Sequence, residues 1–220
     1  MNVSRIIAKI ETGIQDPSFT IEDDILPLVN DFVDEVSELY TVPDLQDQAT
    51  VSVEASATEN QISMPDNYGR DLYRVYTTLS LKEVNIRGSI KVLEKLYNGR
   101  ESTDFIKDVA LESKTLWFKP LPVEAQDLRL FYYRKPEPIE FEDVEDEDTV
   151  LDGIPSHLAK IAVDYALKEL WALVEDGIDG KKINTLFYTE KYNVGLAKIA
   201  LYCKEAPKCV PVITRSARFF

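Results

Sequence analysis

His157 is the only histidine in the chain, so chemistry that needs an imidazole has one place to sit. A general base there would require a nucleophile within hydrogen-bond reach. Ser156 precedes it, yet adjacent residues at a helix start do not face each other, and the pair reads as a surface helix-cap region. Cys203 and Cys209 are the only cysteines. With one histidine they cannot complete a four-ligand zinc site, and they are expected as thiols in a reducing compartment, a small C-terminal loop disulfide being the alternative. The segment from Glu137 to Asp152 holds nine carboxylates among sixteen residues, which invites a calcium reading. With Asp143 as the first ligand, however, the glycine of position six is Asp148 and the glutamate of position twelve is Ile154. None of the eight glycines forms a phosphate-cradling G-x-G-x-x-G or G-x-x-x-x-G-K loop. The residues therefore predict no catalytic site, no metal and no cofactor, and a chain that is not an enzyme.

Two groups could instead bind. Tyr73, Tyr76, Trp117, Phe118, Phe131, Tyr132 and Tyr133 could stack sugars or bases, although aromatics at strand spacing more often fill a core. The C-terminal segment has Pro207, Pro211, Val210, Val212 and Ile213, then Arg215, Arg218, Phe219 and Phe220. It cannot fold alone, so it is either a frayed terminus or an extended arm that docks on another subunit through residue types common at interface hot spots.

The elements that must position these groups follow from periodicity. The stretch from Ile154 to Gly177 is apolar over most of its circumference, interrupted only by the line Lys160, Asp164, Lys168, which is expected as a single exposed edge, and such a helix has neighbours on several sides. Pro155 suits its first turn and Gly177 its C-terminal cap. Val3, Ile6, Ile7 and Ile10 predict a short helix closed by Gly13. Thr20, with Asp23 three residues on, predicts the N-cap of a helix carrying Ile25, Leu28, Val29, Phe32, Val36, Leu39 and Tyr40. Pro27 either kinks that helix or marks its true start. Another helix is expected from about Lys182 to Tyr202, folded back antiparallel through Asp179-Gly180. Between the early and late helices the period changes. Alternation at Thr50 to Glu54 and Lys82 to Arg87 and a run of Tyr, Val, Thr and Leu at Leu72 to Leu79 predict short strands, as do Lys107 to Leu111, Thr115 to Lys119 and Leu128 to Tyr133, with a helix from Ser89 to Tyr97 among them.

The fold expected is α+β: a bundle of two early and two late helices (1–43 and 153–204), an inserted small antiparallel β subdomain (44–136), an acidic linker or arm (137–152) and an extended C-terminal tail (205–220). Three helices leave part of the 154–177 surface uncovered, and the region of Trp171 and Val174 is expected to meet a neighbouring subunit. At 220 residues and a formal charge of −14, a sequence-independent grip on nucleic acid, which needs clustered Lys and Arg, is not expected. No apolar run approaches the ~18 residues of a membrane span, and no signal-peptide layout is seen. The expected product is soluble and intracellular, without a membrane partner.

Several phrases carry a resemblance. Ser18-Phe19-Thr20-Ile21 through Ile25-Leu26-Pro27-Leu28-Val29-Asn30 is similar to the start of head–tail adaptor (connector) proteins of tailed bacteriophages. So are Ala110-Leu111-Glu112-Ser113-Lys114-Thr115-Leu116-Trp117-Phe118-Lys119-Pro120, Leu128-Arg129-Leu130-Phe131-Tyr132-Tyr133-Arg134-Lys135-Pro136, and the helix start Ile154-Pro155-Ser156-His157-Leu158. The similarity spans roughly residues 1 to 204. It implies a structural virion protein made in the bacterial cytoplasm and placed at the neck. There a ring, usually of twelve copies, joins the portal protein to a tail or nozzle protein and lets DNA pass through its channel without specific binding. It also implies ring contacts through the helical bundle and a portal-gripping C-terminal arm, here Val210 to Phe220. The alternative from the residues alone is a carbohydrate- or ligand-binding β module on a helical base.

Overall fold

The computed structural model describes residues 1–55, 60–78, 81–98, 102–103, 105–175 and 182–206. The chain divides into two compact units, one formed by residues 1–44 and 136–220 and the other by 45–135.

The first unit is helical: α1 (Val3–Ile14), α2 (Leu26–Leu39), α4 (Lys160–Glu175) and α5 (Ile183–Cys203). α4 packs against α1, α2 and α5 together, which is why its sequence is apolar nearly all round. Ile161, Ala162, Val163, Tyr165, Ala166, Leu167 and Leu170 are all buried. Two glycines permit the close crossings. A Cβ on Gly13 would lie 2.7 Å from a Leu167 methyl, and one on Gly195 would lie 2.6 Å from Ile161 Cγ2. Gly13 thus belongs to the packing of α1 and does not end it; the helix runs one residue further and Gln15 takes the left-handed cap at φ 53°.

Three other expectations are corrected here. Regular helix begins at Lys160, not at Ile154, because the N–H groups of Leu158, Ile161 and Ala162 all bond three residues back and wind a tighter turn first. The line Lys160, Asp164, Lys168 is not an exposed edge. Asp164 is only 9% exposed, and the Lys168 ammonium lies 4.6 and 4.8 Å from the ring centres of Tyr165 and Tyr192. Of the two readings of Pro27, the start of α2 holds and the kink does not: a π-helical turn (Ile21–Ile25) precedes it, and it falls in the first turn of α2. The Thr20 hydroxyl accepts the Asp23 N–H as expected, but Asp24, not Asp23, reaches back to the Thr20 N–H at 2.7 Å.

The acidic stretch is tied down along its length. Asn30 bonds both the N–H and the C=O of Ile139 at 3.0 Å, Asn2 donates to the Glu147 carbonyl, and the Val3 N–H donates to that of Thr149. Ile139, Val144 and Leu151 bury their side chains, and a short 3-10 helix spans Phe141–Glu145. It is a strap on the helical unit rather than a free linker.

The second unit pairs β1 (Gln46–Val53), β9 (Gln126–Arg134) and β3 (Tyr68–Thr77) in the order β1-β9-β3, all antiparallel. A second sheet has the order β2-β7-β6-β4, from β2 (Gln61–Ser63), β7 (Thr115–Lys119), β6 (Asp108–Glu112) and β4 (Asn85–Arg87). β5 (Ser102–Thr103) pairs with β8 (Leu121–Pro122). The β4–β6 and β5–β8 pairs are parallel, so the β region is mixed, not wholly antiparallel. The expected helix, α3 (Ile90–Leu96), lies between β4 and β6 in the chain and provides the crossover that a parallel pair requires. Val75, Val109, Leu116, Phe118, Leu128, Leu130 and Tyr132 form the core of this unit. Asp108, 4% exposed, accepts from Arg87 Nε at 2.6 Å and Asn85 Nδ2 at 3.2 Å, and from the Tyr97 hydroxyl that closes α3.

Candidate interaction surfaces

The charge divides unevenly. The helical unit has 12 Lys and Arg against 26 Asp and Glu, and the β unit has 13 against 13, so the whole −14 lies on the helical unit. Self-repulsion and long-range fields therefore belong to one unit alone.

α5 carries two apolar faces. Thr189, Tyr192, Gly195, Leu196, Ile199 and Ala200 point into the core. On the opposite side Ile183, Phe187, Val194 and Leu201, at spacings of four, seven and seven, form an exposed stripe about 27 Å long at 1.5 Å per residue. Phe187 is 49% and Leu201 77% exposed, and the Lys191 ammonium lies 4.1 Å from the Phe187 ring centre. Such a stripe on a helix already packed on its other side is a candidate interaction surface. The sequence holds a signal of this, because the helix has almost no preferred apolar side.

At the end of the unit where α4 gives way to α5, Glu175 caps the second helix. Its carboxylate accepts the N–H groups of Asn184 and Thr185, each at 3.0 Å, and the Thr185 hydroxyl at 2.7 Å. Burial pushes the Glu175 carboxyl up, but the bonds from Thr185 and Asn184 outweigh it and hold the group below its ordinary value. Asp164 has no such donors among the described residues, and burial raises its pKa against the pull of Lys191, Lys160 and Lys198. Burial also raises the hydroxyls of Tyr165 and Tyr192, helped by Glu35, to which the Tyr192 hydroxyl donates at 2.9 Å.

Trp171 and Val174, expected at a subunit interface, are half-buried, with the exposed Leu173 between them. The Trp171 indole N–H is buried and has no acceptor among the described residues. Val210, Val212, Ile213, Arg215, Arg218, Phe219 and Phe220 lie outside the described residues, as does the Asp179-Gly180 turn. His157 is exposed and sits edge-on to Tyr202, 6.5 Å between ring centres. The Tyr202 hydroxyl, partly desolvated and donating to Asp44 at 2.7 Å, is pushed up to about 12.

The aromatic set divides between two faces. Phe118 and Tyr132 are core. Tyr73, Tyr76, Phe131 and Tyr133 stand on the other face of the β1-β9-β3 sheet, with Tyr73 5.3 and 6.3 Å from Tyr133 and Phe131, and Tyr76 5.9 Å from Phe131. Strict alternation would send Tyr73 inward with Val75. A bulge between Arg70 and Arg74, with Asp71 at φ 48°, turns it out to 42% exposure. Arg74 lies over the Tyr76 ring at 5.8 Å. A cavity of about 210 Å³ opens on this face, lined by Tyr76, Thr77, Thr78, Leu81, Arg129 and Phe131. Leu81 is 77% exposed at φ 50°, a left-handed conformation that costs a leucine about 1 kcal/mol. It presents an apolar side chain at the rim.

Among the described residues no helix is long and apolar enough to cross a membrane. A family model, that of the SU10 adaptor protein, matches residues 1–206. No curated protein matches the chain.

Proposed function

As the chain belongs to the SU10 adaptor protein family, the structural adaptors of phages, we propose that it assembles beneath the portal as a ring of twelve copies at the head–tail neck. The ring joins portal to tail and passes DNA through its channel. The observation that carries this reading is the second apolar face of α5. A helix packed on one side and apolar on the other is suited to another copy, and covering each half-exposed side chain contributes on the order of 1 kcal/mol. Trp171 and Val174, with Leu173, extend that interface at the end of α4, where a neighbour can offer the Trp171 N–H an acceptor. The acidity of the helical unit suits a channel that repels phosphate. The segment from Val210 to Phe220 is the arm that grips the portal, with Arg215, Arg218, Phe219 and Phe220 as anchors.

The test is to mix the purified protein with its portal and image the product. A ring is expected on the portal, and removal of residues 210–220 is expected to abolish the complex. Phe187→Asp with Val194→Asp is expected to leave a folded monomer that forms no ring. Unchanged portal binding by the truncated chain removes the arm assignment, and unchanged rings from the double variant remove the α5 assignment.

A further inference from the structure

The aromatic–arginine face of the β1-β9-β3 sheet is not used by the α5 contact, and neither is the acidic strap. We propose that they are the two halves of one contact, in which Phe141 and its flanking carboxylates on one copy dock in the Tyr76–Phe131–Arg129 cavity of a second copy. This rests on the ring reading above.

The acceptor is apolar with a cationic edge. Tyr76 and Phe131 form its walls, Leu81 its rim, and Arg129 is exposed with no ion pair among the described residues. Arg74 stands beside it, satisfied only in part by Glu83 at 3.6 Å with both side chains more than half exposed. The donor has the complementary character. Phe141 is 46% exposed at the first position of the 3-10 helix, between exposed Glu140, Glu142 and Asp143, with Glu145 to Asp148 following. An aromatic ring presented among carboxylates is costly to leave in water and has no use for the strap's own anchoring, which Ile139, Val144 and Leu151 supply. The strap is fixed by side-chain and backbone bonds to Asn2, Val3 and Asn30, so little ordering entropy opposes docking.

The occupant is a second copy because the charges match within this one sequence: a unit holding the entire −14 offers the strap, and a neutral unit offers the arginines. Both surfaces are open in the single chain. Because donor and acceptor are different patches, the contact can repeat head-to-tail from copy to copy, and a ring forms where the rotation closes.

Two measurements test this. In the first, Phe141→Ala, Arg129→Glu and Asp143→Arg are each assembled on the portal. Each is expected to lower the ring fraction about tenfold, the effect of about 1.4 kcal/mol, with unchanged circular dichroism. Arg129→Glu combined with Asp143→Arg is expected to recover most of it. In the second, with Cys203→Ser and Cys209→Ser in both partners, a Phe141→Cys chain is mixed with a Leu81→Cys chain at high concentration and oxidised. A disulfide-linked heterodimer is expected. Rings from single variants at wild-type yield, a charge swap without recovery, or no cross-link each overturn the contact. Cross-linking without any ring on the portal instead overturns the adaptor-ring reading and leaves the contact standing.

Discussion

The two units bury charge by opposite means. In the β unit Asp108 is surrounded by designated donors, Arg87, Asn85 and the Tyr97 hydroxyl, so a strand, a helix end and a neighbouring strand converge on one carboxylate. In the helical unit Glu175 is satisfied mainly by the backbone of the next helix, while Asp164 is buried and opposed only by the charges of Lys191, Lys160 and Lys198. One unit is neutral and closes its core with side-chain networks. The other carries all fourteen excess negative charges and depends on the packing of α4 against three helices. The difference teaches that the surplus charge does not arise from how the core is built. It lies mainly on the strap and on exposed residues of the helices.

The chain's two tryptophans allow the comparison to be read unit by unit, since Trp117 lies in the β unit and Trp171 in the helical one. In single-tryptophan variants, Leu130→Ala removes a fully buried side chain from the core of the β unit and is expected to cost about 3 kcal/mol, lowering the Trp117 denaturation midpoint most. An equal drop at Trp171 would mean that the units unfold as one.

Gly195→Ala should cost about 1–3 kcal/mol at Trp171, because the new methyl meets the branched Ile161 close to its backbone. Gly13→Ala should cost less, since it meets the mobile end of Leu167. A reversed order in thermal melts would contradict the packing of α4.

Glu175→Gln should cost about 1 kcal/mol at neutral pH as a weakened cap. The native carboxyl is depressed below its ordinary 4.5, so its contribution is complete above that value and is lost as pH falls through the folded value. Urea titrations should show wild type and variant converging in acid. Asp164→Asn should do the reverse. The raised carboxyl of Asp164 favours folding only while protonated, below its unfolded value of 3.8, and that contribution is lost as pH rises through the folded value. The variant is therefore expected to match or exceed wild type at neutral pH.

The smallest effect is screening. Raising salt from ~10 mM to ~150 mM shortens the Debye length from about 30 to 8 Å. It should stabilise the helical unit by a fraction of a kcal/mol and leave the β unit unchanged, as monitored by the same two tryptophans.

Much of this fold was legible in the sequence because its signals are local. The helical period of Val3 to Ile10, the cap at Thr20, the all-round apolar character of α4 and the change to alternation after Thr50 each need only a few neighbouring residues. The strap was not legible. Ile139, Val144 and Leu151 are too sparse for any period, and the groups that hold it down, Asn2 and Asn30, are remote in sequence. The outward turn of Tyr73 depends on a bulge at Asp71, and the parallel β4–β6 pair depends on where α3 returns the chain.

By itself, then, the sequence determined the α+β class, the order of the elements, the absence of recognised catalytic motifs and the sign of the charge, all consequences of residue type and short-range spacing. Tertiary structure alone decided which of the two apolar sides of α5 is core, which aromatics face outward, and that the acidic stretch is a strap. Each of those is set by a contact between residues far apart in the chain, and no local pattern encodes which surface a neighbour will cover.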